Sequence, residues 1–318
     1  MIAEDLDVQD ESVVKIIEVD LPDTGSLGRF REKLTDSPHH AETVGEVGAD
    51  WLKSILDPTA IRAISEFRGG PHKALLLRGV ALTTEVETPH TGFLPTNQCV
   101  LDFDIFHFGM LSLLGVRPHA VEYENRGKLV RNVVPVIEAA GTTSSWGADV
   151  EFFWHTDNPN WPFENEVSDL STSVPTFLAF IAVRNQEGVS TDIACVDHVL
   201  SQIPDWAVTQ LQKPGFMFGA PASNEGFDGK RQMLPIIEQS DLGYRLRFDT
   251  GIVTARDPDS SEALELLRRR LKDVEGIEVV LQSGDFFIFK NARVLHRRKA
   301  FRPFPEGKAR WLRRVYCN

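Results

Sequence analysis

The sequence is poor in cysteine, in long apolar runs and in positive charge. Its three cysteines, Cys99, Cys195 and Cys317, among 318 residues are too few for a disulfide framework and point to a reducing compartment. No apolar run approaches the roughly 18 residues that cross a bilayer, so no membrane partner is expected. Acidic side chains outnumber basic ones 46 to 34, a formal charge of −12. That balance argues against nucleic acid as a bulk partner, because phosphate binding needs net or clustered positive charge. The start, MIAEDLDVQDES, is acidic, whereas a targeting peptide is basic and then apolar. There is no internal repeat, low-complexity tract or separating linker. The expectation is one cytoplasmic domain over residues 1–318, long enough to bury a large core without staples.

What is present has an order. Residues 1–45 read as an acidic edge with one β-like run at 13–17. Trp51, Ile55, Leu56, Ile61 and Ile64 predict a helix over 49–67, stopped by Gly69-Gly70-Pro71. Residues 74–80 read as a buried strand, and 99–114 as an apolar helix closed by Gly115. Strands follow at 129–136, 150–157, 176–183, 243–248, 277–281 and 286–289. A helix over 261–274 interrupts them, with Asp259, Ser260 or Ser261 as its cap. The pattern predicts a mainly β sandwich or barrel with helices packed outside.

Chemistry concentrates in Glu151-Phe-Phe-Trp-His155-Thr-Asp157. Alternate side chains of a strand share a face, which would group Phe153, His155 and Asp157 against Phe152, Trp154 and Thr156. A histidine and a carboxylate two apart on a buried face can reach one metal ion. The best third ligand is His296, beyond the Gly284-Asp285 turn and the apolar strand 286–289. Two histidines and a carboxylate make the facial triad of non-haem Fe(II) oxygenases, with positions left open for a 2-oxo acid and dioxygen. The plain alternative makes His155 a satisfied core histidine and Asp157 the cap of a turn at Asn158-Pro159.

The C-terminal segment adds to the case for a metal site. From Arg293 to Arg314 it carries nine basic residues and one acid, Glu306. Such a run is ordinarily a solvated face or an anion patch. Strand character at 310–314, however, puts Arg310, Leu312 and Arg314 on one face. An inward pair of arginines is costly unless it meets carboxylates, which guanidinium groups grip in bidentate fashion.

These residues carry a resemblance. The sequence resembles the Fe(II)/2-oxoglutarate-dependent dioxygenases of the TauD superfamily, closest to the clavaminate synthase-like branch with its asparagine, arginine and lysine hydroxylases. The likeness runs from about residue 75 to 316 and rests on His155-Thr-Asp157, on Gly188-Val-Ser-Thr191-Asp, and on His296 to Arg314. It implies a double-stranded β-helix (jelly-roll) core with flanking helices. It further implies Fe(II) on His155, Asp157 and His296, and 2-oxoglutarate held by Arg310 and Thr191. Arg314 would meet the substrate carboxylate, and O2 would be the co-reactant. The implied activity is hydroxylation of an unactivated C–H bond in a free or carrier-bound amino acid. Alternatives are desaturation, epoxidation or oxidation of another small carboxylate or sulfonate on the same centre, or a non-catalytic binding protein.

Two features depart from the branch or divide its implications. The carboxylate ligand is Asp157, where amino-acid hydroxylases of this branch mostly carry glutamate. Arg131 is either a surface charge or, pointing inward, a mark of an anionic substrate, whereas Asp249 sits where enzymes of basic substrates place carboxylates. The polar, acidic stretch 158–173 after Asp157 is expected to act as a lid over substrate.

Overall fold

Strands that are apolar on both faces set the architecture. The computed structural model describes residues 12–21, 25–34, 40–121, 123–167, 173–221, 233–305 and 307–318. Its strands in chain order are β1 (Val14–Leu21), β2 (Ala74–Val80), β3 (Pro118–His119), β4 (Arg131–Val133), β5 (Phe152–His155), β6 (Phe177–Arg184), β7 (Thr191–Cys195) and β8 (Phe216–Phe218). There follow β9 (Met233–Leu234), β10 (Ile237–Ser240), β11 (Gly243–Leu246), β12 (Val253–Ala255), β13 (Ile277–Val279), β14 (Phe286–Lys290), β15 (Val294–Arg298) and β16 (Trp311–Cys317). A seven-stranded sheet runs β1-β2-β14-β6-β16-β3, with β4 also on β16; a four-stranded sheet runs β13-β7-β15-β5. Within these sheets β1 and β2 are parallel and the other pairs antiparallel.

The two-residue period assigns each side chain its layer. Leu76, Leu178, Phe180, Phe287, Phe289 and Leu312 from the large sheet meet Ile193, Val279 and Val294 from the small one. Their neighbours Leu75, Leu77, Ala179, Ile181, Phe286 and Ile288 face the other way. That outer face is covered by α1 (Leu27–Arg31), α2 (Ala41–Ile55), α3 (Pro58–Glu66) and α4 (Leu101–Leu114). The outer face of the small sheet, with Trp154, Ala194 and Leu295, packs on α5 (Val196–Leu200), α6 (Asp205–Leu211) and α7 (Pro258–Lys272). Phe287 and Phe289 are fully buried, and burial of each such ring stabilises by about 1.5–3 kcal/mol. Helices α2 and α4 touch backbone to backbone: a Cβ on Gly48 would lie 2.0 Å from the Ile105 carbonyl oxygen. The result is the expected jelly roll with flanking helices.

Four local elements differ from the expectation. The helix expected over 49–67 is two helices, because the backbone turns extended at Leu56 and Asp57 caps α3, its carboxylate accepting from Thr59 N at 2.8 Å and Ala60 N at 2.9 Å. Pro58 then occupies the first turn, where no N–H is needed. The same device starts α7, whose cap is Asp257 followed by Pro258, not a residue of 259–261. The strand expected over 129–136 shrinks to β4, with Pro135 unable to donate to a ladder. Finally, the alternation expected around His155 breaks. Between β15 and β5, His296 pairs with His155 but Arg298 pairs with Phe152, so one extra residue bulges out of β5. Phe153 joins Trp154 in the outer cluster, and Phe152 takes the place beside His155.

Candidate active site

The two histidines meet because their strands do. His155 and His296 are direct partners across β5 and β15, with ring centroids 4.1 Å apart. Cross-strand partners on one face approach this closely without distortion. Asp157 lies just past β5 and turns its Oδ1 to both rings, 3.5 Å from His155 Nε2 and 3.4 Å from His296 Nε2. Its backbone is clamped by Asn291, whose Oδ1 accepts from Asp157 N at 3.0 Å and whose Nδ2 donates to Asp157 O at 3.1 Å. His296 belongs to β15 in the small sheet; the turn Asn291–Arg293 carries the chain there from β14 in the large one.

The donor set fits a divalent cation. Nδ1 of His155 lies 2.7 Å from the Phe153 carbonyl oxygen; a carbonyl only accepts, so Nδ1 carries the proton and Nε2 keeps its lone pair. That Nε2 is buried and receives no hydrogen bond among the described residues. Burial and the neighbouring His155 push His296 down to about 4, so its imidazole is neutral near pH 7. Burial would raise Asp157, but Arg314 and the two histidines reverse this and hold its carboxyl well below the usual range. One carboxylate oxygen and two imidazole nitrogens therefore converge as lone pairs, and all three ligand atoms lie within 4.8 Å of one another.

Beside this cluster stands Arg310. It shares an inward face with Leu312 and Arg314, and all three line one pocket with His155, Asp157, His296 and Thr191. Its Nη2 donates to Thr191 Oγ1 at 3.2 Å. Among the described residues no carboxylate lies within ion-pair distance of its guanidinium, and its Nε has no acceptor. Burial and the nearby Arg298 push Arg310 down to about 9. A buried guanidinium beside a hydroxyl can grip a carboxylate in bidentate fashion.

An adjoining cavity of about 330 Å³ is lined by Glu124, Ser144, Phe152, Asp249, Arg314 and Tyr316, among others, and shares the His155–Asp157 wall. Arg314 is already gripped here: Nη1 donates to Asp157 Oδ2 at 2.6 Å and Nη2 to Glu124. Asp249 sits across from His155 in an isolated β-bridge and accepts from Gly251 N at 2.7 Å. Arg131, for which the sequence left a surface and an inward position open, is buried but lines neither chamber at the histidines. Its Nε donates to Ser145 Oγ at 2.9 Å, its Nη1 lies 3.6 Å from Glu124, and its plane covers Trp146. It supports the wall. Phe152 stacks on His155 at 3.7 Å between centroids, shielding the ring from water. Of the expected lid, residues 168–172 lie outside the described residues.

Sequence reasoning missed Glu124 and Tyr316. Tyr316 was findable, since it continues the two-residue series Arg310, Leu312, Arg314. Glu124 carries no periodic signal; it precedes Asn125 and Arg126, both with positive φ, in an irregular turn.

Comparison with known proteins is consistent with this geometry. The family profile described as "Taurine catabolism dioxygenase TauD, TfdA family" matches residues 232–316. The enduracididine beta-hydroxylase of Streptomyces hygroscopicus is 26% identical, covering 98% of this chain and 93% of that protein. The L-asparagine oxygenase of Streptomyces coelicolor is 26% identical over 91% of this chain and 84% of its own. Among solved structures, the non-heme iron oxygenase OrfP in complex with Fe, succinate and (3R,4R)-dihydroxy-L-Arg superposes with a TM-score of 0.78 at 18% identity, covering 95% of this chain and 93% of that one. Among the described residues no helix is long and apolar enough to cross a membrane.

Proposed function

The chain belongs to the TauD/TfdA dioxygenase family, on its clavaminate synthase-like branch, and from that premise we propose that it is an Fe(II)- and 2-oxoglutarate-dependent hydroxylase of a free amino acid with a basic side chain. The observation that carries this reading is the unpaired, buried Arg310 guanidinium in the same pocket as the His155–Asp157–His296 cluster. A dicarboxylic cosubstrate gives that charge its partner. A non-catalytic role is disfavoured because ligand set, threonine and arginine are all in place.

His155, Asp157 and His296 hold the iron. Arg310 and Thr191 receive the distal carboxylate of 2-oxoglutarate and so fix its keto acid end at the histidines. Bound iron, with 2-oxoglutarate and O2, supplies the oxidation: the cosubstrate leaves as succinate and carbon dioxide, and one oxygen atom enters the substrate C–H bond. Phe152 and Phe289 exclude water from the two imidazoles. Arg314 still has N–H groups beyond those given to Asp157 and Glu124 and faces the substrate cavity, where an α-carboxylate can meet them. A free acid satisfies this contact; a carrier thioester has no such charge. Asp249 lies on the cavity wall and offers its carboxylate to a cationic side chain. Arg131, turned to Ser145 and Glu124, presents no positive charge to an anionic one.

The test is succinate formation from 2-oxoglutarate, with Fe(II) and O2, across a panel of free amino acids. Basic amino acids should stimulate it most, with a product heavier by one oxygen. A product lighter by two hydrogens assigns desaturation instead. No turnover of 2-oxoglutarate under any condition refutes the catalytic reading. Asp249→Asn should reduce kcat/KM for the basic substrate by about 10-fold or more, the discrimination of a lost charge-assisted contact.

A further inference from the structure

We propose that Tyr316 and Glu124, acting with Arg314, form a brace that leaves Asp157 only one carboxylate oxygen to give a metal. The inference rests on the reading of His155, Asp157 and His296 as ligands, and it assigns Tyr316 and Glu124 the task of positioning residues.

A facial triad keeps three coordination positions open only while its carboxylate binds through a single oxygen. Chelation by both oxygens would close one of the positions that the cosubstrate and dioxygen need. Asp157 stands on a loop just past β5, and rotation of its carboxylate could present either oxygen or both. The structure prevents this with donors on the opposite sheet. Oδ1 faces His155 and His296. Oδ2 points away from them, 2.6 Å from Arg314 Nη1 and 2.9 Å from the Tyr316 hydroxyl. Two donors on one oxygen fix the carboxylate plane.

Glu124 completes the brace from behind. It accepts from Arg314 Nη2, and its Oε2 lies 2.9 Å from the Tyr316 hydroxyl. It is 2% exposed, with Arg131 Nη1 3.6 Å away as a second cation. The single phenolic proton is thus shared between two carboxylates, and the Arg314 fork holds both of them in place. Arg314 and Tyr316 belong to β16, which is paired with β6 along its whole length and with β3 and β4 on its other side. A ligand on a loop is oriented by donors on a rigid strand. Outer partners of this kind set metal affinity as well as ligand direction.

The test uses the full chain, stripped with chelator and titrated with Co(II) without cosubstrate, followed by calorimetry and by the cobalt visible absorption. Tyr316→Phe removes only the hydroxyl. It should weaken Co(II) binding by about 10-fold or more and change the absorption, because Oδ2 of Asp157 keeps only Arg314 and its carboxylate plane is held less firmly. The metal-free protein should still melt cooperatively, at a temperature lowered only by the lost hydroxyl contacts. Glu124→Gln should act in the same direction, and the double variant should bind little worse than the weaker single one, since both act through Asp157. Unchanged Co(II) affinity and spectrum in Tyr316→Phe, or a lower melting temperature without any change in metal binding, overturns the brace alone. A wild type that takes up no Co(II), or a His296→Ala variant that binds like wild type, overturns the ligand reading and the brace with it.

Discussion

Arg310, the residue before β16, donates to Thr191 at the start of β7, Nη2 to Oγ1 at 3.2 Å, and so joins the two sheets of the jelly roll within the pocket. In the proposed function the pair receives the distal carboxylate of 2-oxoglutarate. Truncating one partner of a buried charged pair costs about 2–5 kcal/mol. Arg310→Ala should therefore raise the KM for 2-oxoglutarate by roughly thirty-fold or more. Arg310→Lys should recover only part of this, because an ammonium cannot reproduce the planar fork. Steady-state kinetics in 2-oxoglutarate decide it; an unchanged KM removes Arg310 from cosubstrate binding.

Arg314 should behave differently. Its fork holds Asp157 and Glu124 at once, and removing one member of such a buried set costs about 3–5 kcal/mol. Arg314→Ala should lower stability by an amount of that order, raise the KM for the amino acid and loosen the metal together. Chemical denaturation and metal titration measure the first and third effects. If only the amino-acid KM moves, Arg314 serves the substrate and not the ligand.

Metal binding should be visible in stability. A ligand that binds only the folded state adds about 2.7 kcal/mol at a hundredfold excess over its Kd. Mn(II) or Co(II) should raise the melting temperature of the wild type, and a chelator should reverse it. His296→Ala should abolish both the shift and iron-dependent succinate formation. A retained shift in that variant places the ion elsewhere.

His107, on α4 between Phe108 and Phe286, predicts an acid limb. Burial and the Arg313 charge push it down to about 3, whereas unfolding returns it to about 6.5. Below pH 6.5 the unfolded chain binds the extra proton, so stability falls as pH falls, down to about pH 3. Between pH 6.5 and pH 5 the loss from this group is about 2 kcal/mol. His107→Met, of similar volume and without a proton site, should flatten that part of the stability profile. An identical profile in both proteins assigns the acid sensitivity to other groups.

The sequence by itself determined whatever depends on short-range periodicity. Apolar runs marked 74–80 and 286–289 as buried strands, and alternation at 310–314 turned Arg310 and Arg314 inward. The turn glycine Gly284, at φ 85°, was readable in the same way. The residue types of the cluster were legible too, since two histidines and a carboxylate are the set that a facial triad uses.

Tertiary structure decided what depends on partners distant in sequence. The extra residue in β5 shows only against β15, so the sequence put Phe153 beside His155 where Phe152 stands. Where the Arg131 side chain turns depended on Ser145, Glu124 and Trp146, none of them near it on a strand. Glu124 had no local signal at all, since an irregular turn has no period, and it matters only because Arg314 and Tyr316 end opposite it. A strand's own alternation follows from backbone geometry common to all sequences. The charge that a buried guanidinium meets is fixed by which loop the fold brings across the barrel.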